Sequence, residues 1–288
     1  MRNKRQILRS LLLFLFLLSV FFQSSHQTSL AKKVTFIEEK DITYGKVGDI
    51  ELKLNFTRPA KGRGPFPTIV FIQWSAAGRS SWVMERREAA KRGYVAVAID
   101  YRQWRMGTFP AQVHDVKCVV RWLRANARNY KIDSDHIGVV GWSAGGYLAL
   151  MLGLTEPSDG LEGECGDLNH SSRVQAIVSL AGVTELLSYD RYKKNNMLTR
   201  NVKGSPTETP NLHKKASPLS YVRENSPPVL SIHGVDDPEV PLDQAELLDA
   251  KMREAGASHT LIAMKDTRHN VSVNDTVWDF FDEHLKGE

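Results

Sequence analysis

The chain of 288 residues lacks most of what several large functional classes require. It has two cysteines, Cys118 and Cys165, and they are not in a C-x-x-C pair, so a thiolate metal cage is excluded. Its nine histidines form no H-E-x-x-H or other close ligand grouping, and no metal is expected. No strand-like run leads into G-x-G-x-x-G, so no dinucleotide cofactor is expected either. A long apolar span is missing too. The longest run, LLLFLFLLSVFF, is well short of the roughly 20 residues that cross a bilayer as a helix.

Charge of one sign is scarce once the amino terminus is set aside. MRNKRQILRS is basic, the apolar run follows, and Ser29-Leu30-Ala31 supplies small residues. That order reads as a secretory signal peptide over 1–31, with an uncleaved signal anchor as the alternative. These residues hold four of the 38 basic side chains and none of the 33 acidic ones, leaving 34 against 33. The overall excess of +5 therefore belongs mostly to the leader, and no basic patch argues for a nucleic-acid partner. A secreted or periplasmic protein without stable membrane insertion is expected. Export permits a disulfide between Cys118, in a helical pattern, and Cys165, in a loop, without requiring one.

What is present is an alternation of strands and helices. VTFIEEKDITYGKVGDIELKLNFTRP reads as two strands around a glycine turn. TIVFI, YVAVAID, HIGVVG, QAIVSL, Pro228–His233 and Leu261–Met264 follow as apolar runs suited to buried strands. Helical patterns fall between them at Trp82–Arg92, Pro110–Ala127, Ala144–Leu154, Pro241–Ala255 and Val271–His284. The alternation predicts an α/β domain over 32–288, with a mostly parallel central sheet and helices on both faces. Residues 189–225 are polar and without period, and read either as a small cap or as a surface excursion.

The chemistry concentrates in three places. Gly141-Trp142-Ser143-Ala144-Gly145 has the G-x-S-x-G form, after a strand and before a helix. A serine there sits on a tight turn, with free helix N–H groups behind it to meet a developing anion. Serine needs a base, and the base needs a carboxylate, in the chain order Ser, acid, His. VLSIHGVDDPEVP offers Asp236 and Asp237 as alternatives, and KDTRHN offers His269. His233 and His114 read as structural, and Glu239 as a surface group.

GYVAVAIDYR, FPAQVHDVKCVVRWLRANARNYKIDSDHIGVVGWSAGGYLALMLG, SSRVQAIVSLAGVTEL and PPVLSIHGVDDPEVPLDQAELL carry a family resemblance. From about Lys33 onward the chain resembles exported α/β-hydrolases of the esterase and lipase kind, nearest to bacterial feruloyl and acetylxylan esterase-like proteins. The resemblance implies Ser143 as nucleophile, His269 as base and an H-G-x-x-D-x-x-V-P acid, which selects Asp237 over Asp236. In the family a glycine usually precedes the base, where this chain has Arg268. Ala144 would lend its amide to the oxyanion. The family's H-G-G-G-W loop is replaced by Gln73-Trp74-Ser75-Ala76-Ala77, which makes Ser75, with Ala76 behind it, the second donor. Trp74 and Trp142 would line the substrate pocket. The implied substrates are short acyl or aromatic-acid esters, some carbohydrate-linked.

Two rival readings stand beside this one. A peptidase of the same fold would need paired acids to grip an amino terminus, and Glu85, Glu88 and Glu162 are scattered. A catalytically silent binding protein would explain the altered 73–77 loop.

Overall fold

The apolar runs become neighbouring strands of one eight-stranded sheet in the computed structural model, which describes residues 35–74, 78–103, 106–187 and 202–287. The strands are β1 (Phe36–Val47), β2 (Ile50–Pro59), β3 (Phe66–Ile72), β4 (Val95–Ile99), β5 (Ile132–Trp142), β6 (Ala176–Leu180), β7 (Val229–Gly234) and β8 (His259–Met264). Their order is β1-β2-β4-β3-β5-β6-β7-β8. β1 and β2 form an antiparallel hairpin, β2 runs antiparallel to β4, and every pairing from β4 to β8 is parallel. This is the α/β-hydrolase architecture, and residues 35–288 make one compact unit. The proposed leader, residues 1–31, lies outside the described residues.

Near-uniform apolarity follows from burial on both faces. In β3, Val70 and Ile72 face one core and Ile69 and Phe71 the other. In β4, Val95, Val97 and Ile99 share the first core while Ala96 and Ala98 share the second. Strand geometry sends alternate side chains to opposite faces, so a strand covered twice has no polar side to show. Helices Ala111–Ala125 and Ala144–Leu154 cover the first face, and Asp275–Leu285 with Val83–Lys91 the second. The helix Ala144–Leu154 is buried on nearly all sides, which its run AGGYLALMLGL requires.

Several boundaries differ from the sequence reading. The final helix starts at Asp275 rather than Val271, because the Asn274 side chain accepts from the Val277 amide and fixes the amino-terminal cap there. The helix expected to run through Ala127 stops at Ala125, and a separate turn covers Ala127–Tyr130. Of the polar stretch 189–225, residues 189–201 lie outside the described residues. The remainder holds a short helix, Pro210–Lys215, and a turn at Pro218–Tyr221. Val202, Ala216 and Tyr221 join the same buried cluster as the sheet.

Cys118 and Cys165 are joined, with Cα atoms 5.2 Å apart. The bond ties the loop after the helix Ala144–Leu154 to the helix Ala111–Ala125. Beside it, Glu162 reaches Lys117 at 2.8 Å and Arg121 at 2.7 Å, and both cationic side chains are 1% exposed. Among the described residues no helix is long and apolar enough to cross a membrane.

Candidate active site

Ser143 stands between the last residue of β5 and the first residue of the helix Ala144–Leu154. Its backbone has φ 56° and ψ −117°, a conformation that L-residues rarely adopt. Such strain persists only where the surroundings enforce it. The enforcement is visible: the Ser143 amide donates to the Leu180 carbonyl at 2.8 Å, and strand and helix cross tightly at the flanking glycines. A Cβ on Gly141 would lie 2.0 Å from the Gly145 carbonyl oxygen, and one on Gly145 would lie 2.1 Å from that of Ile72. The Ser143 side chain does not cap its own helix. The first-turn amide of Ala144, the residue that follows the nucleophile in the chain, has no carbonyl within the helix to meet.

That hydroxyl is 2.9 Å from His269 Nε2, across 126 residues of chain. On the other side of the ring, Nδ1 is 2.6 Å from Asp237 Oδ2. Asp237 Oδ1 accepts from the amides of Glu239, at 2.8 Å, and Val240, at 2.9 Å. Burial alone would raise the Asp237 carboxyl. The imidazole N–H and the two amides outweigh it and hold the group below its ordinary range. Asp236 is exposed, and its amide donates to the Thr267 carbonyl at 3.0 Å, so of the two aspartates it is Asp237 that addresses the imidazole.

His233, read as structural, props the acid. It is 1% exposed, and its Nε2 lies 2.8 Å from the Val240 carbonyl, the far end of the turn that wraps Asp237. Burial pushes His233 down, so it is neutral and donates through Nε2. The glycine after it has its own reason. A Cβ on Gly234 would lie 2.1 Å from the Arg268 carbonyl and 2.4 Å from that of Thr267, where the base-bearing loop crosses β7. Glu239 is mostly exposed, with its carboxylate 4.0 Å from His269 Nε2.

Ser75 and Ala76 lie outside the described residues, but the residues on either side of their loop are held firmly. The Tyr101 hydroxyl shares its one proton between the Gln73 carbonyl, at 2.9 Å, and the Trp74 carbonyl, at 3.0 Å. Burial pushes the Tyr101 phenol up, so the proton stays on. On the far side, the Arg79 amide donates to Asp100 Oδ1 at 2.9 Å, and Asn55 Nδ2 donates to the Arg79 carbonyl at 3.0 Å. Asp100 and Tyr101, two consecutive residues, therefore hold both ends of the 73–79 segment. Tyr101→Phe leaves two carbonyls without their donor. It is expected to cost about 1–3 kcal/mol, read as a lower urea midpoint.

Trp74 is 39% exposed and stands edge-on to Trp142, with ring centroids 6.3 Å apart at 88°. Trp142 is half-buried, and its ring lies 5.2 Å from that of His269. The sequence reading misses Tyr101, the backbone donors at 239 and 240, and the Trp142–His269 contact. Only the Tyr in IDYR carries any signal, a polar-tipped aromatic just past a buried strand. His114 lines a separate cavity of about 690 Å³ with Lys46, Arg102, Glu162 and Cys165. Burial and the neighbouring Arg102 push His114 down.

A solved carbohydrate esterase from gut microbiota superimposes with TM-score 0.77 at 25% identity, covering 87% of this chain and 96% of that one. Esterase 2 of Thermogutta terrifontis gives 0.69 at 25% identity, covering 85% and 89%. In sequence, the chain is 32% identical to esterase LipQ of Mycobacterium tuberculosis over 244 residues, 81% of this chain and 57% of LipQ. It is 30% identical to esterase LipC of the same organism, over 67% of this chain and 50% of LipC. The chain thus spans about half the length of the curated relatives it matches. The BD-FAE family model matches residues 54–252, running through the nucleophile turn and the acid-bearing loop and ending one strand short of His269. On that match the chain belongs to the BD-FAE family.

Proposed function

We propose that the protein is a serine carboxylic-ester hydrolase acting on short acyl or aromatic-acid esters, some of them carbohydrate-linked. One observation carries the reading: an unbroken hydrogen-bonded line from Ser143 Oγ through His269 to Asp237. In the proposed cycle Ser143 Oγ attacks the ester carbonyl while His269 Nε2 takes its proton. Asp237 keeps the remaining proton on Nδ1 and so holds Nε2 free to accept. The Ala144 amide and the 73–77 loop meet the tetrahedral oxyanion. His269 returns the proton to the leaving alcohol, then takes one from water as hydroxide oxygen adds to the acyl-enzyme. The acid departs and Ser143 is protonated again.

The names of the similar proteins support esters as the substrate class, and one of those proteins is a carbohydrate esterase. The peptidase reading finds no support in two of its three candidate acids. Glu88 is paired with Lys91 and Arg92, and Glu162 with Lys117 and Arg121. Their charge is already answered within the chain. We also read the protein as exported, which the Cys118–Cys165 bond supports.

The test is covalent labelling. A fluorophosphonate is expected to give one adduct, on Ser143, lost in His269→Ala. A folded protein that takes no label would instead be the silent binder. With p-nitrophenyl esters of increasing acyl length, kcat/KM is expected to be highest for the shortest chains. A steady rise toward long chains would overturn the short-acyl assignment.

A further inference from the structure

His269 sits on a loop without regular structure, between β8 and the final helix. A base on such a loop needs its backbone fixed as well as its ring. Two devices hold the residues before it: the close crossing at Gly234, and the Asp236 amide bonded to the Thr267 carbonyl. Neither touches residue 269. Its own carbonyl accepts the Trp142 indole N–H at 2.9 Å. The same indole lies against the imidazole, with ring centroids 5.2 Å apart and planes tilted by 40°. Trp142 directly precedes Ser143, so the turn that strains the nucleophile also grips the base, through its backbone carbonyl and its ring.

We infer that Trp142 is a positioning residue for His269, fixing its backbone by a hydrogen bond and its ring by packing. The inference rests on the proposed ester hydrolysis and assigns Trp142 a task other than lining the substrate pocket. The task selects the side chain. An aromatic wall alone would be served by phenylalanine, whereas a wall with a donor at its rim, set to reach a backbone carbonyl, is tryptophan. Trp74, edge-on to the indole, packs against Trp142 in turn.

Trp142→Phe keeps an aromatic ring and removes the donor; Trp142→Leu removes both. The phenylalanine variant is expected to lose about tenfold in kcat, as for one lost hydrogen bond, with KM within about twofold. The leucine variant is expected to lose about 100-fold. Labelling of Ser143 by fluorophosphonate should slow in parallel, because the defect is in the base. A second measurement needs no turnover: the downfield proton resonance of the His269–Asp237 hydrogen bond is expected to be sharp in the wild type and to broaden in Trp142→Phe well below its melting temperature. Wild-type kcat with an unchanged resonance in the phenylalanine variant overturns the inference. So does a raised KM with unchanged kcat, which would make Trp142 a substrate wall. If the leucine variant does not fold, the phenylalanine variant carries both measurements. A wild-type protein that neither labels nor hydrolyses esters would overturn the proposed reaction instead, and the resonance would still report whether Trp142 holds His269.

Discussion

Ser143→Ala is expected to lower kcat for ester hydrolysis by about 10⁶, and Asp237→Asn by about 10⁴, with little change in KM for either. The first removes the atom that forms the acyl-enzyme. The second is nearly isosteric and still severe, because an amide NH₂ facing Nδ1 favours the tautomer that carries its proton on Nε2. The nitrogen facing Ser143 Oγ then has a proton where it needs a lone pair. Turned the other way, the new side-chain amide would set its own NH₂ against the Glu239 and Val240 amides that now donate to Asp237 Oδ1. The pH dependence follows from the depressed carboxyl. A group whose folded value is lowered stays ionised above the ordinary aspartate value of about 3.9 and loses its stabilising charge only as pH falls through the lower folded value. Activity lost between about pH 4 and 7 is therefore not lost at Asp237. Stopped-flow or steady-state rates with a p-nitrophenyl ester across that range check this. An Asp237→Asn enzyme within about tenfold of wild type would sink the assigned role of the carboxylate.

Much of this site can be read locally, and the reasons are physical. The crossing of strand and helix at Ser143 demands small residues at fixed offsets, so the turn writes itself into five consecutive letters. The strands announce themselves because burial on both faces leaves no polar position. His269 is placed by its position after the last strand, since the carboxyl ends of parallel strands gather at one edge. Asp236 and Asp237 cannot be separated from the residues alone. They differ by one step of backbone, and only the fold turns one inward to the imidazole and the other to solvent. Tyr101 and Trp142 are still less legible. Tyr101 meets carbonyls 27 and 28 residues away, and the Trp142 indole meets a carbonyl 127 residues away. Backbone carbonyls leave no trace in sequence, so a side chain devoted to one looks like any other aromatic. The start of the last helix is misplaced for a related reason. Val271 and Val273 extend the apolar pattern, and a cap at Asn274 overrides it.

Glu162→Gln is expected to destabilise the fold by about 2–3 kcal/mol at pH 7, without touching the reacting groups. Glu162 is the shared counter-ion of Lys117 and Arg121, whose side chains are 1% exposed. Burial pushes the Lys117 ammonium down, and the carboxylate beside it opposes that push. Burial would raise Glu162 itself, but Lys117, Ser172 and Arg121 more than offset it and hold its carboxyl below the ordinary range. Removing the carboxylate leaves two buried cations without the carboxylate they contact directly, with only the more distant Asp159 acting on Lys117, a larger loss than that of any surface pair. The figure stands at or below the lower edge of the roughly 3–5 kcal/mol range for a fully buried pair because the Glu162 side chain is 24% exposed and lines the 690 Å³ cavity, where water can screen the cations. The Cys118–Cys165 bond keeps the loop attached, so the loss is electrostatic rather than a release of chain. The pH sign separates this from a packing defect. A depressed carboxyl stabilises above the unfolded glutamate value of about 4.3, and that stabilisation fades as pH falls through the folded value. Urea unfolding of wild type and Glu162→Gln should therefore differ clearly at pH 7 and converge in strong acid. A gap that stays constant down to the acid limit would mean that the glutamate acts through its shape and not its charge.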